Sequence, residues 1–160
     1  MHRVIVTGQS GAGKTTLMDR LRESDVAALS RFTDLDWYGH RKNSEDWKEW
    51  CIPPFVLDFL LRLTAEENQS LVCAGISSNW DEFLGRAVSL KFTVLVLAPP
   101  LETVVAQATT RGDEQTKIDD IRKNYTSFLD YYEGKDYDVF TSSDDLFEAI
   151  RTILNNNNQG

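Results

Sequence analysis

The 160-residue chain is 41% hydrophobic and 26% charged, the balance of a globular protein large enough to bury one core without disulfide or metal staples. Its net charge of −8 repels polyphosphates as a whole, so any nucleic acid would have to be met by a local basic patch. No stretch approaches the roughly eighteen apolar residues of a membrane span, and Cys51 and Cys73 form neither a metal-ligand spacing nor a disulfide framework.

In chain order, Met1-His2-Arg3 leads straight into the apolar run Val4–Thr7. A strand there, in place of a basic-then-apolar leader, predicts a cytoplasmic protein. Helical spacing follows over 14–22, closed by the i, i+4 pair Leu17 and Leu21. "ALSRF" (28–32) is a weak strand, 55–67 a helix, and Leu71–Ala74 a second β-branched run holding Cys73 as a small core residue. "FTVLVLA" (92–98) is the third strong strand, bounded like the others by Gly, Ser or Pro. Helices are predicted over 101–110, 118–132 and 144–154, with "YDVF" (137–140) a weak strand between the last two. Strands alternating with helices predict a three-layer α/β/α fold around a five-stranded parallel sheet. One domain spans 1–154, and the "NNNNQG" tail (155–160) has nothing to bury and is predicted to fray.

The first strand–helix junction reads "GQSGAGKT". It matches G-x-x-x-x-G-K-[ST] at Gly8, Gly13, Lys14 and Thr15, between a strand and a helix as the motif requires. Such a loop, here Gly8, Gln9, Ser10, Gly11, Ala12, Gly13, Lys14, Thr15 and Thr16, turns main-chain N–H groups inward to hold phosphate at a helix N-terminus. Lys14 reaches the β- and γ-phosphates, and the Thr15 hydroxyl is a Mg²⁺ ligand. The sequence therefore predicts a nucleoside triphosphate site taking ATP and Mg²⁺. Thr116-Lys117-Ile118-Asp119 has the letters of a guanine-reading motif, but no apolar strand precedes it and Asp119 falls in the first turn of a predicted helix. "LVCAG" ends in Gly75 where a motor-type ATPase places an acid.

An acidic pair stands after the second strand, in "TDLDWYGHR" (33–41). At i, i+2 in extended chain, Asp34 and Asp36 would share a face, one holding Mg²⁺ (Asp34 is the first choice) and the other acting as general base. The same letters also suit a solvated turn with an Asx cap. Trp37, Tyr38 and Arg41, with Trp47 and Trp50 beyond them, either offer flat surfaces to a nucleobase or form a satellite cluster under a loop. In "GISSNW" (75–80), Ser77, Ser78 and Asn79 either hydrogen-bond an acceptor or cap a helix beginning at Trp80. Arg111, beside Gly112 as a pivot, is the first candidate for a cation arriving on the transferring phosphoryl group, ahead of Lys117, Arg122 and Lys123.

A phosphate loop, an Asp-x-Asp after strand two, a Gly at the end of strand three and an Arg in a short lid together resemble the small-molecule P-loop kinases, the adenylate, shikimate and thymidylate kinases among them. In shikimate-type members the paired aspartates bind Mg²⁺ and the acceptor hydroxyl, which falls here on Asp34 and Asp36. "RGDE…IR..Y" is similar to lids of thymidylate-kinase-like proteins, small phage-encoded ones included. The Asp-Arg pair of thymidylate kinases is replaced by Gly75 and Ile76, and no large inserted lid is present. A more distant similarity is to phage kinases acting on hydroxymethylated pyrimidines in DNA. The resemblance implies transfer of the γ-phosphoryl of ATP to a hydroxyl or phosphate of a nucleobase-containing acceptor: a nucleoside, a nucleotide or a modified DNA base. A hydroxyl is preferred, because a carboxylate base is superfluous for an ionised phosphate. The alternative is a regulatory NTPase that hydrolyses ATP slowly without an acceptor.

Overall fold

A computed structural model describes residues 1–41 and 50–156. Its elements run β1 (Arg3–Thr7), α1 (Lys14–Arg22), β2 (Ser30–Asp34), β3 (His40–Arg41), β4 (Trp50–Cys51), α2 (Phe55–Glu67), β5 (Ser70–Ala74), α3 (Trp80–Ser89), β6 (Thr93–Leu97), α4 (Leu101–Thr110), α5 (Gln115–Tyr132), β7 (Asp138–Phe140) and α6 (Ser143–Asn155). Five strands form one sheet in the order β2-β5-β1-β6-β7, and every neighbouring pair is parallel. The chain thus leaves β1 toward one edge, returns through β5, and crosses to β6 on the other side. The carboxyl ends of these central strands are the switch point at which open α/β sheets bind ligands.

Alternation along β1 sorts the core into two faces. Val4 and Val6 join Val72, Ala74, Leu95 and Leu97 under α1 and α6, through Leu17, Met18, Leu21, Leu146 and Ile150. Ile5 joins Leu71, Cys73, Val94 and Val96 under α2 and α3 and the Tyr132 end of α5. A smaller cluster of Val104, Val105, Ala108, Ile118 and Ile121 joins α4 to α5. This is the helix-covered parallel sheet that the β-branched runs imply.

The second strand begins two residues later than its sequence suggests. Residues 27–29 tighten into a 3-10 turn, and the strand continues through Asp34. The helix from Trp80 extends to Ser89, while a two-stranded antiparallel pair, β3 with β4, has no signal in the sequence reading. Helix α5 starts at Gln115, so Asp119 lies beyond the first turn and accepts from Gln115 Nε2 at 2.8 Å. Helix α6 runs on through Asn155, the first residue of the expected tail, because Leu146, Ile150 and Leu154 anchor it to the sheet. Residues 157–160 of that tail, and Trp47, lie outside the described residues.

Candidate active site

The phosphate loop crosses the carboxyl end of β1 between the sheet and α4. Gly8 is pinned there, since a Cβ at that position would lie 2.6 Å from the Leu97 carbonyl oxygen in β6. Backbone cannot give way as a side-chain tip can. Gly8→Ala is therefore expected to cost about 1–3 kcal/mol, lowering Tm by roughly 2–4 °C per kcal/mol for a chain of this size. A thermal melt identical to that of the parent protein would contradict this packing. At the other end of the loop, Gly13 has φ +100° and forms the N-cap of α1, a left-handed conformation that disfavours side chains.

A cleft of about 890 Å³ opens above this loop. Ser10, Gly11, Gly13, Lys14, Thr15 and Thr16 line one wall, α4 supplies Thr103, Ala106, Gln107 and Thr110, and Asp36 and Arg111 stand at its sides. The remaining loop residues serve differently: Ala12 is buried in the core behind the loop, and Gln9 turns toward a second cavity. The first N–H groups of α1 have no intrahelical acceptor, and the helix dipole adds positive potential beside Lys14. Such a helix N-terminus favours an anion.

Lys14 Nζ donates to the Gly8 carbonyl at 2.5 Å and the Gln9 carbonyl at 2.9 Å. Burial lowers its pKa to about 8, against the opposing influence of Asp36 and Asp34 and reinforced by Arg111 and Lys117. A triphosphate beside Nζ stabilises the ammonium and raises that pKa again, so the complex holds more protons than the free protein around and above pH 8. Binding is thus expected to take up a proton in that range, and affinity to fall as pH rises past 8, approaching tenfold per unit. Titration calorimetry at pH 8.5 in two buffers of different ionisation enthalpy checks this; equal heats would contradict it.

The two aspartates part company. Asp34 ends β2, and its Oδ1 accepts the backbone N–H of Asp36 at 2.9 Å, capping a 3-10 turn over 35–38. The chain has left extended geometry before Asp36, so the i, i+2 strand argument does not describe this pair; the Asx cap does. Asp36 nevertheless lines the cleft. Its carboxyl is raised above the ordinary carboxylate range, first by loss of water around it and then by Asp34, with Lys14 and Lys117 opposing.

Arg111 closes α4 and reaches across the cleft to Ser10 Oγ at 3.0 Å while pairing with Asp113. Lys117 stands 3.7 Å from the same Asp113. Arg122 is paired with Glu102 at 2.9 Å on the surface.

The expected acceptor contacts are distributed otherwise. Trp37 is 73% exposed and lines neither cavity. Tyr38 packs edge-on against Phe59 with ring centroids 6.5 Å apart. Arg41 pairs with Trp50 through the β3–β4 backbone. Asn79 sits at the N-cap of α3 without capping it; its Nδ2 donates to the Ile52 carbonyl at 3.0 Å and its Oδ1 accepts from Ile52 N–H at 3.3 Å. Ser77 and Ser78 hydroxyls bond the Trp50 carbonyl at 3.2 and 2.8 Å. The 75–79 loop thereby clamps residues 50–52 onto the sheet end.

A second cavity, about 540 Å³, lies between that loop, α3 and α5. It shares Ser10 and Ile76 with the larger cleft, so the two meet at the rim of the phosphate loop. Its aromatic wall of Trp80, Phe128, Tyr131 and Tyr132 is absent from the sequence-based site. The available signal was Phe128 and Tyr132 at i, i+4 on a helix otherwise rich in polar residues, which reads equally well as core. Tyr132 is indeed held from below, its hydroxyl 3.1 Å from Thr7 Oγ1.

Thr15 and Asp36 give the cleft a hydroxyl and a carboxylate, oxygen donors of the kind Mg²⁺ takes. Among the described residues no cluster of three acidic, His or Cys side chains forms a metal cage. Among those same residues, no helix is long and apolar enough to cross a membrane.

No family model and no curated protein matches the chain. Solved structures do. A sugar kinase from Janibacter sp. HTCC2649 aligns with TM-score 0.59 at 17% identity, over 97% of this chain and 95% of that one. Shikimate kinase from Acinetobacter baumannii, solved in complex with shikimate, aligns at 0.55 and 19%, over 100% and 96%. A gluconokinase from Sinorhizobium meliloti 1021 aligns at 0.53 and 16%, over 86% and 80%. At these identities the likeness is one of fold.

Proposed function

We propose that this chain, whose fold is that of the small P-loop kinases, transfers the γ-phosphoryl group of ATP to a hydroxyl of a nucleobase-containing acceptor. The observation that carries this reading is the meeting of two cavities at Ser10 and Ile76, one walled by the phosphate loop and the other by aromatic rings. A switch or motor needs the first cavity only. A transferase needs both, with the reacting atoms at their junction.

In this reading the loop amides and Lys14 hold the β- and γ-phosphates, and Arg111, already bridging to Ser10, neutralises charge spreading over the equatorial oxygens. Asp36 takes the proton of the acceptor hydroxyl. The new O–P bond forms as the bond from Pγ to the β-phosphate oxygen breaks, and ADP leaves. Mg²⁺, held through Thr15 and an aspartate, would supply further charge neutralisation between the phosphates. Asp34, the first choice for that role from the sequence, is engaged with the Asp36 amide, so Asp36 is the better placed of the two carboxylates for either task.

Incubation with terminally labelled ATP and Mg²⁺ against nucleosides, nucleotides, sugars and hydroxymethylpyrimidine DNA tests the proposal. Label is expected on a small nucleobase-bearing hydroxyl compound. Label released only as inorganic phosphate, at a rate indifferent to every acceptor, would favour the regulatory NTPase instead.

A further inference from the structure

The turn that joins α4 to α5 is organised by one carboxylate. Arg111 closes α4, and Gly112 follows at φ +87°. The Gly112 N–H donates to the Thr109 carbonyl at 3.0 Å and the Asp113 N–H to the Ala108 carbonyl at 3.1 Å. These are the two bonds of a Schellman cap, which fold the chain back onto the last turn of the helix. Asp113 is thereby brought against Arg111: its Oδ1 accepts from Nε at 2.9 Å, and its Oδ2 accepts from Nη2. The Asp113 side chain is 10% exposed, but that of Arg111 is 47% exposed. A pair with one partner so open to water adds little to stability. What a two-point grip on a planar guanidinium fixes is its direction.

That direction is toward the phosphate loop. Nη2 also donates to Ser10 Oγ at 3.0 Å. Nη1, which carries two more N–H groups, makes no hydrogen bond among the described residues, and the side chain lines the larger cleft. Lys117, in the first turn of α5, stands 3.7 Å from the same Asp113 oxygen. Its charge reaches the site: behind loss of water, it is among the influences that lower the Lys14 pKa and oppose the rise at Asp36. Two cations gathered at one point repel unless an anion lies between them, and Asp113 is that anion. Arg122, further along α5, is paired with Glu102 instead.

We propose that Asp113 is a positioning residue of this site: it fixes the Arg111 guanidinium at the Ser10 rim and keeps Lys117 beside it, so that two cations from the α4–α5 turn meet the phosphoryl group as it leaves the loop. Asp113 itself touches no substrate. This rests on the kinase reading only for where the phosphoryl group goes, because charge spreads over the same equatorial oxygens whether the acceptor is a hydroxyl or water.

The test follows ADP formation by the full chain from ATP and Mg²⁺, with adenosine, cytidine, guanosine or thymidine as acceptor and with water alone, beside ATP binding by equilibrium dialysis. Asp113→Asn keeps the shape and loses the charge. It is expected to lower kcat about tenfold or more, as misplacement of a catalytic group does, while the Kd for ATP changes less than about threefold. Lys117→Met is expected to lower kcat roughly three- to tenfold. Combining Asp113→Asn with Arg111→Ala is expected to cost no more than about threefold beyond Arg111→Ala alone, because residues that act as a unit are not additive. A merely structural role for Asp113 would instead multiply the two losses. Arg111→Lys retains the charge without the two-point grip and is expected to lose about tenfold or more, so the proposal stays testable if the Asp113 variant fails to fold. Losses that multiply in the double variant, or full turnover in Asp113→Asn, Arg111→Lys or Lys117→Met, overturn the inference. If no acceptor raises the rate above that with water, the kinase reading fails, and the same variants compared on hydrolysis still decide the role of Asp113. A folded chain that forms no ADP under any of these conditions overturns both.

Discussion

Lys14→Ala is expected to lower turnover at least ~100-fold while leaving the fold in place, the range seen when one preorganised electrostatic contact to a transition state is deleted. The fold is expected to survive the loss of the two hydrogen bonds from Lys14 Nζ to the Gly8 and Gln9 carbonyls, because other groups hold the loop as well. Glycines 8, 11 and 13 set its backbone, two of them at positive φ, and Leu17, Met18 and Leu21 anchor the helix behind it. What Lys14 contributes is a positive charge near the loop carbonyls, held at a pKa of about 8. At neutral pH most of it is charged, and a phosphate completes its coordination. Steady-state ADP formation with the preferred acceptor, alongside a thermal melt, measures both halves of the expectation. Unchanged turnover would remove Lys14 from the mechanism.

Asp36→Asn is expected to reduce turnover by roughly 10²–10³, within the span of general-base contributions, with ATP affinity altered by less than about threefold. Asp34→Asn makes the contrast. Its carboxylate is committed to the Asp36 amide, so loss of the acid is expected to cost less than about tenfold in turnover and up to ~1 kcal/mol of stability, as for a weakened cap. The pH profile distinguishes the roles further. With the Asp36 carboxyl raised by the protein atoms that displace water beside it and by Asp34, the acid limb of turnover is expected to begin above the ordinary carboxylate range. In the Asp34 variant the like charge is gone, and the limb is expected to move down. Equal losses in both variants, or an acid limb that stays put, would contradict the assignment of Asp36.

Much of this architecture was legible in the residues alone. A glycine-rich turn between a β-branched run and an amphipathic helix has one common physical use, and the strands around it are buried on both faces, so their apolar runs stand out. Helices over 14–22, 55–67 and 101–110 emerge with the bounds that periodicity gives them. The site beyond the phosphate loop was less legible because its chemistry depends on tertiary direction. Asp34 and Asp36 stand only two positions apart, yet a 3-10 turn makes one a cap and leaves the other on the cleft. Ser77, Ser78 and Asn79 occupy the expected sheet edge, but their polar groups are used on residues 50–52. The aromatic wall arises from α5 packing beside α3, a juxtaposition no local pattern contains. Gln9 is a free position in the loop motif, and only the fold shows that it turns away from the phosphates.

The proposed chemistry requires that the 8–16 loop grip a nucleoside triphosphate. Equilibrium dialysis of the full chain against labelled ATP with Mg²⁺ at pH 7 tests it most directly. Saturable binding of one nucleotide per chain, weakened at least tenfold in Lys14→Ala, is the expected result. Retention of neither ATP nor GTP by the folded parent protein would contradict it.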